Sequence, residues 1–258
     1  MSQIREIKIS KKLTFLAVAA WLLIISASAT WNVWDDKREI EHISLESARA
    51  LFQQIVLDRS WNARHGGVYV PITKTTVPNP YLEEPLRDLE TLEGISLTKI
   101  NPAFMTRQIS KIAQENTGVQ FHITSLHPIR PANKATDWEL EWLKEFEKGE
   151  KERSELISDS SGTIYRYMAP LFVTDGCMKC HAKQGYEVGD IRGGISVTLP
   201  FISFSSAKTS ILVHGLIFFV GLAGIILAHN LLGRSNQSLI SETAFILRRL
   251  RGNQNVVF

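Results

Sequence analysis

Apolar residues gather in two stretches, residues 13–31 and 211–232, and the chain between them is mixed and polar. Each stretch is close to the roughly 20 residues that a helix needs to cross about 30 Å of hydrocarbon. Neither contains Asp, Glu, Lys or Arg. The pattern predicts two transmembrane helices, 13–34 and 209–232. The first has a second reading as a cleaved signal peptide, because Ala27-Ser28-Ala29 follows a basic start as a cleavage site would. Trp31 and Trp34 prolong the apolar run like an interfacial belt, which favours a retained anchor.

Between these stretches the periodicity changes. From residue 35 to about 61 the spacing predicts a helix, with Ile40, Ile43, Leu51 and Ile55 on one face and Ser47 interrupting them. Gly66-Gly67 ends it. Val68-Tyr69-Val70 reads as a short β run closed by Pro71, and residues 73–90, with Pro78, Pro80 and Pro85, read as loop. Asn101 and Pro102 suit the N-cap and first position of a helix reaching Thr117. Residues 119–126 alternate like a strand. Asp137 is expected to cap a helix over 138–148. A hairpin follows over 154–173, turning at 159–162, and residues 191–200 form a last strand. This is an α+β chain: a PAS- or Cache-like antiparallel sheet of four or five strands with flanking helices, between two transmembrane helices.

Charge orients that arrangement. The net charge is +3 over 258 residues. Residues 1–12 carry +3 and the tail from His229 carries +3, which leaves −3 between them. Positive flanks stay inside, so both termini are predicted to be cytoplasmic. The domains read as a cytoplasmic N-terminus 1–12, a membrane helix 13–34, a periplasmic domain 35–208, a membrane helix 209–232 and a cytoplasmic tail 233–258. The location is then a bacterial cytoplasmic membrane. The basic residues sit in the tails and are not interleaved with aromatics, so nucleic acid is not an expected partner. The acidic runs at 35–41 and 139–155 read as solvated helix faces.

The chain has two cysteines, in Cys177-Met178-Lys179-Cys180-His181, expected in the loop after the hairpin. Two thiols three residues apart can reach the two vinyl groups on one edge of a haem, and the adjacent histidine can then turn its imidazole under the iron. CxxCH therefore reads as attachment of one covalent haem c, with Cys177 and Cys180 as thioethers and His181 as an axial ligand. A structural zinc site would need two more ligands. A thioredoxin-like redox pair would sit in a βαβ unit, and no such pattern surrounds it. No nucleophile elbow, P-loop, dinucleotide fingerprint or HExxH is present, so no enzyme activity is expected.

Around the motif the chain resembles a family of bacterial single-haem-c periplasmic sensor domains with a PAS-like fold. These occur alone or fused to histidine kinases, diguanylate cyclases and chemoreceptors. The resemblance rests on Trp61-Asn62-Ala63, His65 to Val70, Asn101-Pro102-Ala103, Met105 to Gln108, Thr124-Ser125-Leu126, Cys177 to His181, Gly185-Tyr186 and Gly189 to Val197. It implies haem-c sensing or redox signalling. Some relatives use a cysteine as the second axial ligand, and this chain has no third cysteine to supply one.

The second axial ligand therefore stays open between Met105 and His65, with His122, His127 or a vacant position behind them. A Met thioether would raise the reduction potential relative to a second imidazole. Core packing is the ordinary fate of such a Met, and a helix-end interaction that of such a His. Arg107 and Arg192, with Arg130, are candidates for the haem propionates. Tyr69 and Trp61 could pack on the ring or in the core.

Two functions fit. One is a membrane-anchored periplasmic haem-c sensor of a redox or small-ligand signal that passes a conformational change to a separate output protein. The other is a membrane-anchored monohaem electron-transfer cytochrome with a redox partner. The short tail after 232 is expected to form an amphipathic helix and not an output domain. A homodimer through residues 36–60 is compatible with the apolar stripe.

Overall fold

The structure is a computed structural model that describes residues 11–159, 162–181, 184–200 and 206–254. The side chains of Lys179 and Cys180 lie outside the described residues. The chain divides into two units, Met1–Glu39 with Phe204–Phe258, and Ile40–Ser203.

In the first unit, the helices α1 (Lys11–Arg64) and α5 (Ser206–Gln254) pair through their apolar segments. The apolar part of α1 and the stretch Thr209–Leu247 of α5 are long and apolar enough to cross a membrane. Three polar contacts seven residues apart on α1 tie them. Thr14 Oγ1 lies 2.8 Å from His229 Nδ1, Trp21 Nε1 donates to the Phe218 carbonyl, and Ser28 Oγ lies 3.1 Å from His214 Nε2. Hydrogen bonds of this kind join helices where lipid offers no alternative partner. The second apolar helix does not stop at residue 232: α5 continues through the tail to Gln254, so the tail is part of the same helix.

In the second unit, β4 (Gln120–Thr124), β5 (Arg153–Asp159), β6 (Gly162–Phe172) and β7 (Ile191–Pro200) form one antiparallel sheet in the order β4-β7-β6-β5. The two central residues of the expected hairpin turn lie outside the described residues. Side chains alternate between faces along a strand. Tyr165, Tyr167 and Ala169 of β6 therefore join Ile195 and Val197 of β7 on one face, where they pack with Ala48 and Ile55 of α1. Met168 points to the other face and meets Leu143 and Phe146 of α3 (Asp137–Glu147). Each fully buried Val, Ile or Leu stabilises this core by about 1.5–3 kcal/mol.

The buried face of α1 overlaps the expected one only in part: Ile55 is buried and Leu51 packs against the core, as expected, but the face is rotated away from Ile43. Its buried residues are Ala48, Ile55 and Asn62, two turns apart, while Ile43 is exposed. The interruption at Ser47 is the outward face of the helix, and small Ala48 allows the sheet to approach.

A second, three-stranded sheet of order β1-β3-β2 comprises β1 (Val68–Pro71), β2 (Asp88–Glu90) and β3 (Ser96–Ile100). The last two strands were not expected, because β2 is short and polar and follows a proline-rich segment. α2 (Pro102–Thr117) matches its expected limits. Asn101 Oδ1 accepts from Phe104 N at 2.9 Å, and the helix ends at Gly118, whose φ of +76° suits glycine. The start of α3 is shifted: Thr136, not Asp137, is the N-cap, and it forms a capping box with Glu139.

Candidate haem-attachment site

The CxxCH motif is not in a loop. It occupies a short helix, α4 (Asp175–His181). The Cys177 N–H donates to the Thr174 carbonyl at 2.8 Å, and Cys177 Sγ lies 3.3 Å from Thr174 Oγ1. On a helix, residues 177, 180 and 181 fall at i, i+3 and i+4, on one face. The helical spacing thus sets the three positions of the motif along one side of α4. α4 lies against the last turn of α1: a Cβ added to Gly176 would sit 3.5 Å from Ala63 Cβ.

His181 is half-buried, and the two edges of its ring have different surroundings. Nδ1 lies 2.7 Å from Gln184 Oε1 and 3.2 Å from Arg192 Nε. One nitrogen cannot both donate to the amide oxygen and accept from the guanidinium. Nδ1 is the engaged nitrogen in either tautomer, and Nε2 makes no hydrogen bond among the described residues. Burial pushes the His181 pKa down, with the charges of Arg192 and Arg59 adding to that effect and Gln184 opposing it. A neutral imidazole with Nδ1–H held by an oxygen is the state in which histidine ligates metal. Tyr186 stands edge-on to the His181 ring, with centroids 6.4 Å apart, and the Arg192 guanidinium lies over the Tyr186 ring.

Two arginines, Arg59 and Arg192, act on this helix, and they belong to a set without acidic partners among the described residues. Elsewhere in the unit Arg49 pairs with Glu152, Arg87 with Asp88 and Arg166 with Glu155. Arg59, Arg107, Arg130 and Arg192 make no ion pair among the described residues. Arg192 donates through Nε toward His181 and through Nη2 to the His127 carbonyl. Arg130 donates to Asn133. Arg107 lies over the Phe104 ring, and burial, reinforced by the charge of Arg130 and opposed by Tyr81, brings its pKa down to about 10. Arg59 donates from Nη1 to the Pro102 carbonyl and to Thr106 Oγ1, both at 3.2 Å. Its pKa is also brought down to about 10, by burial, and its charge acts on both Cys177 and His181. The sequence reading passed over Arg59. The available signal is that it shares the inner side of α1 with Asn62 and Ala63 and has no acidic residue three or four positions away.

The candidates for the second axial ligand are placed differently. Met105 lies on the first turn of α2, between the two residues that bind Arg59, and it belongs to neither hydrophobic core cluster. His65 is exposed at the end of α1, where its Nδ1 lies 2.8 Å from the Trp61 carbonyl and its ring rests on Trp61. No hydrogen bond or ring contact joins Met105 or His65 to His181. His127 contributes its carbonyl to Arg192 and is exposed. Tyr69 belongs to the small sheet, where its hydroxyl donates to the Leu86 carbonyl.

His122 is already engaged. Its Nδ1 lies 2.8 Å from Glu139 Oε1, and its Nε2 lies 3.4 Å from the Ala132 carbonyl. Glu139, read from the sequence as part of a solvated face, is only 3% exposed. It accepts from the Ser196 hydroxyl at 2.5 Å and from Thr136 N at 2.9 Å. Burial alone would raise its pKa. The bonds from His122, Ser196 and Thr136 outweigh that and hold it below the usual carboxylate value.

Among the described residues, no three His, Cys, Asp or Glu side chains converge as a metal cluster. A haem needs only His181 and one ligand opposite, because the macrocycle supplies the other four.

Comparison with known proteins gives a family. The family model described as Tll0287-like: Tll0287 matches residues 37–200. A solved structure, that of the cyanobacterial heme-protein Tll0287, aligns with 61% of this chain and 95% of that chain, at 19% identity and a TM-score of 0.40. No curated protein matches.

Proposed function

The chain belongs to the Tll0287-like family, and from that premise we propose that it is a membrane-anchored c-type haem sensor. The observation that carries this reading is the juxtaposition at α4. The CxxCH positions lie along one side of a helix, His181 Nδ1 is engaged while Nε2 makes no hydrogen bond among the described residues, and Arg59 and Arg192, without acidic partners there, act on this helix. The protein whose name the family bears is described as a heme-protein, which supports the same cofactor here.

Cys177 and Cys180 would hold one haem c through thioethers, and His181 would ligate its iron. Met105 is the favoured second ligand, since Pro102 and Thr106 on either side of it bind Arg59, whose charge acts on Cys177 and His181. His65 is the alternative. Arg107 offers an unspent guanidinium to a propionate. The bound haem would supply a one-electron couple and an iron whose ligation can change. We assign no catalytic residue, and we read the domain as PAS- or Cache-like.

The apolar segments support two membrane anchors. With basic flanks inside, the haem domain faces the periplasm of a bacterial cytoplasmic membrane, where haem c is attached. A signal reaches a separate output protein only if two conformations are stabilised differently by the state of the haem. Hydrogen exchange on the oxidised and reduced protein tests this. A sensor predicts altered protection in α4 and in the end of α1. Identical protection with rapid electron exchange would replace the sensor with an electron-carrying cytochrome.

A further inference from the structure

Arg59 occupies an unusual position. It is a half-buried cation with no acidic partner among the described residues, close enough to act electrostatically on both Cys177 and His181. It cannot swing freely, because its Nη1 donates to both the Pro102 carbonyl and Thr106 Oγ1. Thr106 is fully buried and itself donates to the Pro102 carbonyl at 2.8 Å, so this anchor is fixed by α2. What remains is the Nε–H and the two N–H groups of Nη2. The Nε/Nη2 edge is one of the forks through which a guanidinium binds a carboxylate with two parallel bonds.

The place of Arg59 along α1 supports the same conclusion. Ala63, one turn further on the same face, touches Gly176 of α4, next to Cys177. Arg192, in contrast, turns its Nε/Nη2 edge toward neighbours already present, with Nε 3.2 Å from His181 Nδ1 and Nη2 3.3 Å from the His127 carbonyl.

Resting on the haem reading above, we propose that Arg59 is the residue that holds a haem propionate, through its Nε/Nη2 edge, with α2 setting its orientation. A half-buried cation without a counter-charge carries a desolvation cost, and a propionate at this edge offsets that cost. The pairing also neutralises a negative charge near the iron, which favours the ferrous state and keeps the propionate ionised across the physiological range.

The test uses the full chain matured with haem, as wild type, R59Q, R59K and the exposed control R64Q. The readouts are covalent haem content and midpoint potential as a function of pH. R59Q is expected to attach haem and to lower the potential by about 59 mV, a tenfold change in a one-electron equilibrium. It should also gain a pH-dependent potential as the freed propionate titrates. R59K should recover part of the loss, and R64Q should match wild type. If R59Q yields too little haem protein, R59K alone decides: its potential must fall below that of wild type. Wild-type potential and pH profile in whichever of the two variants is obtained would overturn this assignment and leave the haem reading standing. Absence of covalent haem from the wild type would overturn both.

Discussion

Gln184 Oε1 lies 2.7 Å from Nδ1 of His181, so Nε2 is the ring nitrogen that the proposed haem iron would take. A hydrogen bond at Nδ1 also makes the imidazole a stronger donor, which stabilises ferric iron. Replacing Gln184 with Leu is therefore expected to raise the midpoint potential. One such bond is worth about 1 kcal/mol, or roughly fivefold in the redox equilibrium. Potentiometric titration of the Q184L protein checks this, and the haem should remain attached.

Met105 and His65 compete as second ligand of the proposed haem. M105A is expected to convert a low-spin haem spectrum to high spin, while H65A should leave it low-spin. A thioether ligand raises the potential relative to bis-imidazole, so loss of Met105 should also lower it. Visible spectra of the two variants decide, and the reverse pattern would make His65 the ligand.

The pair His122–Glu139 should give the domain a pH-dependent stability. The His122 pKa is raised, chiefly by its bond to Glu139, against the opposing effect of burial. Its contribution is full below the ordinary histidine value of about 6.5 and is lost as pH rises through the higher folded value. Glu139 is held low, so its contribution is present above the ordinary carboxylate value of about 4.3 and is lost as pH falls through the folded value. The thermal midpoint is therefore expected to decline above about pH 6.5 and again in acid. H122Q should abolish the alkaline decline and retain the acid one. Thermal melts across pH 4–9 (roughly the span that contains both ordinary values) check this.

Gly193 marks where β7 passes the end of β4. A Cβ there would lie 2.1 Å from the Thr124 carbonyl oxygen and 2.8 Å from Ser125 Cβ. Backbone cannot yield as a flexible side chain does, so G193A should cost about 3 kcal/mol. For a domain of this size that lowers the thermal midpoint by roughly 6–12 °C. Arg192, one residue earlier, reaches His181, so haem incorporation in G193A should fall as well.

Legibility from sequence followed the range of the forces involved. Asn101-Pro102 and Gly118 bound α2 because capping is local, and alternation with the hairpin turn gave all four strands of the large sheet. Thr136 was readable too: it stands three residues before Glu139, the spacing of a capping box, and Asp137 drew attention from it. The burial of Glu139 was not readable, since its donors His122 and Ser196 lie 17 and 57 residues away in the chain. β2 and β3 were hidden by the prolines before them and by the polarity of β2. CxxCH announced its chemistry, but the helix that aligns it begins with Asp175-Gly176, an unpromising helix start. Arg59 required knowing which face of α1 turns inward, and the face with buried Ala48, Ile55 and Asn62 differs from the one suggested by Ile40 and Ile43.

The central claim is one haem attached through Cys177 and Cys180. Expression of the full chain with a c-haem maturation system, followed by denaturation and a pyridine haemochrome spectrum, tests it most directly. The account predicts one haem per chain that survives denaturation and shows the thioether-shifted spectrum, and its loss from a C177A/C180A protein. A wild-type chain that carries no haem after denaturation would contradict it.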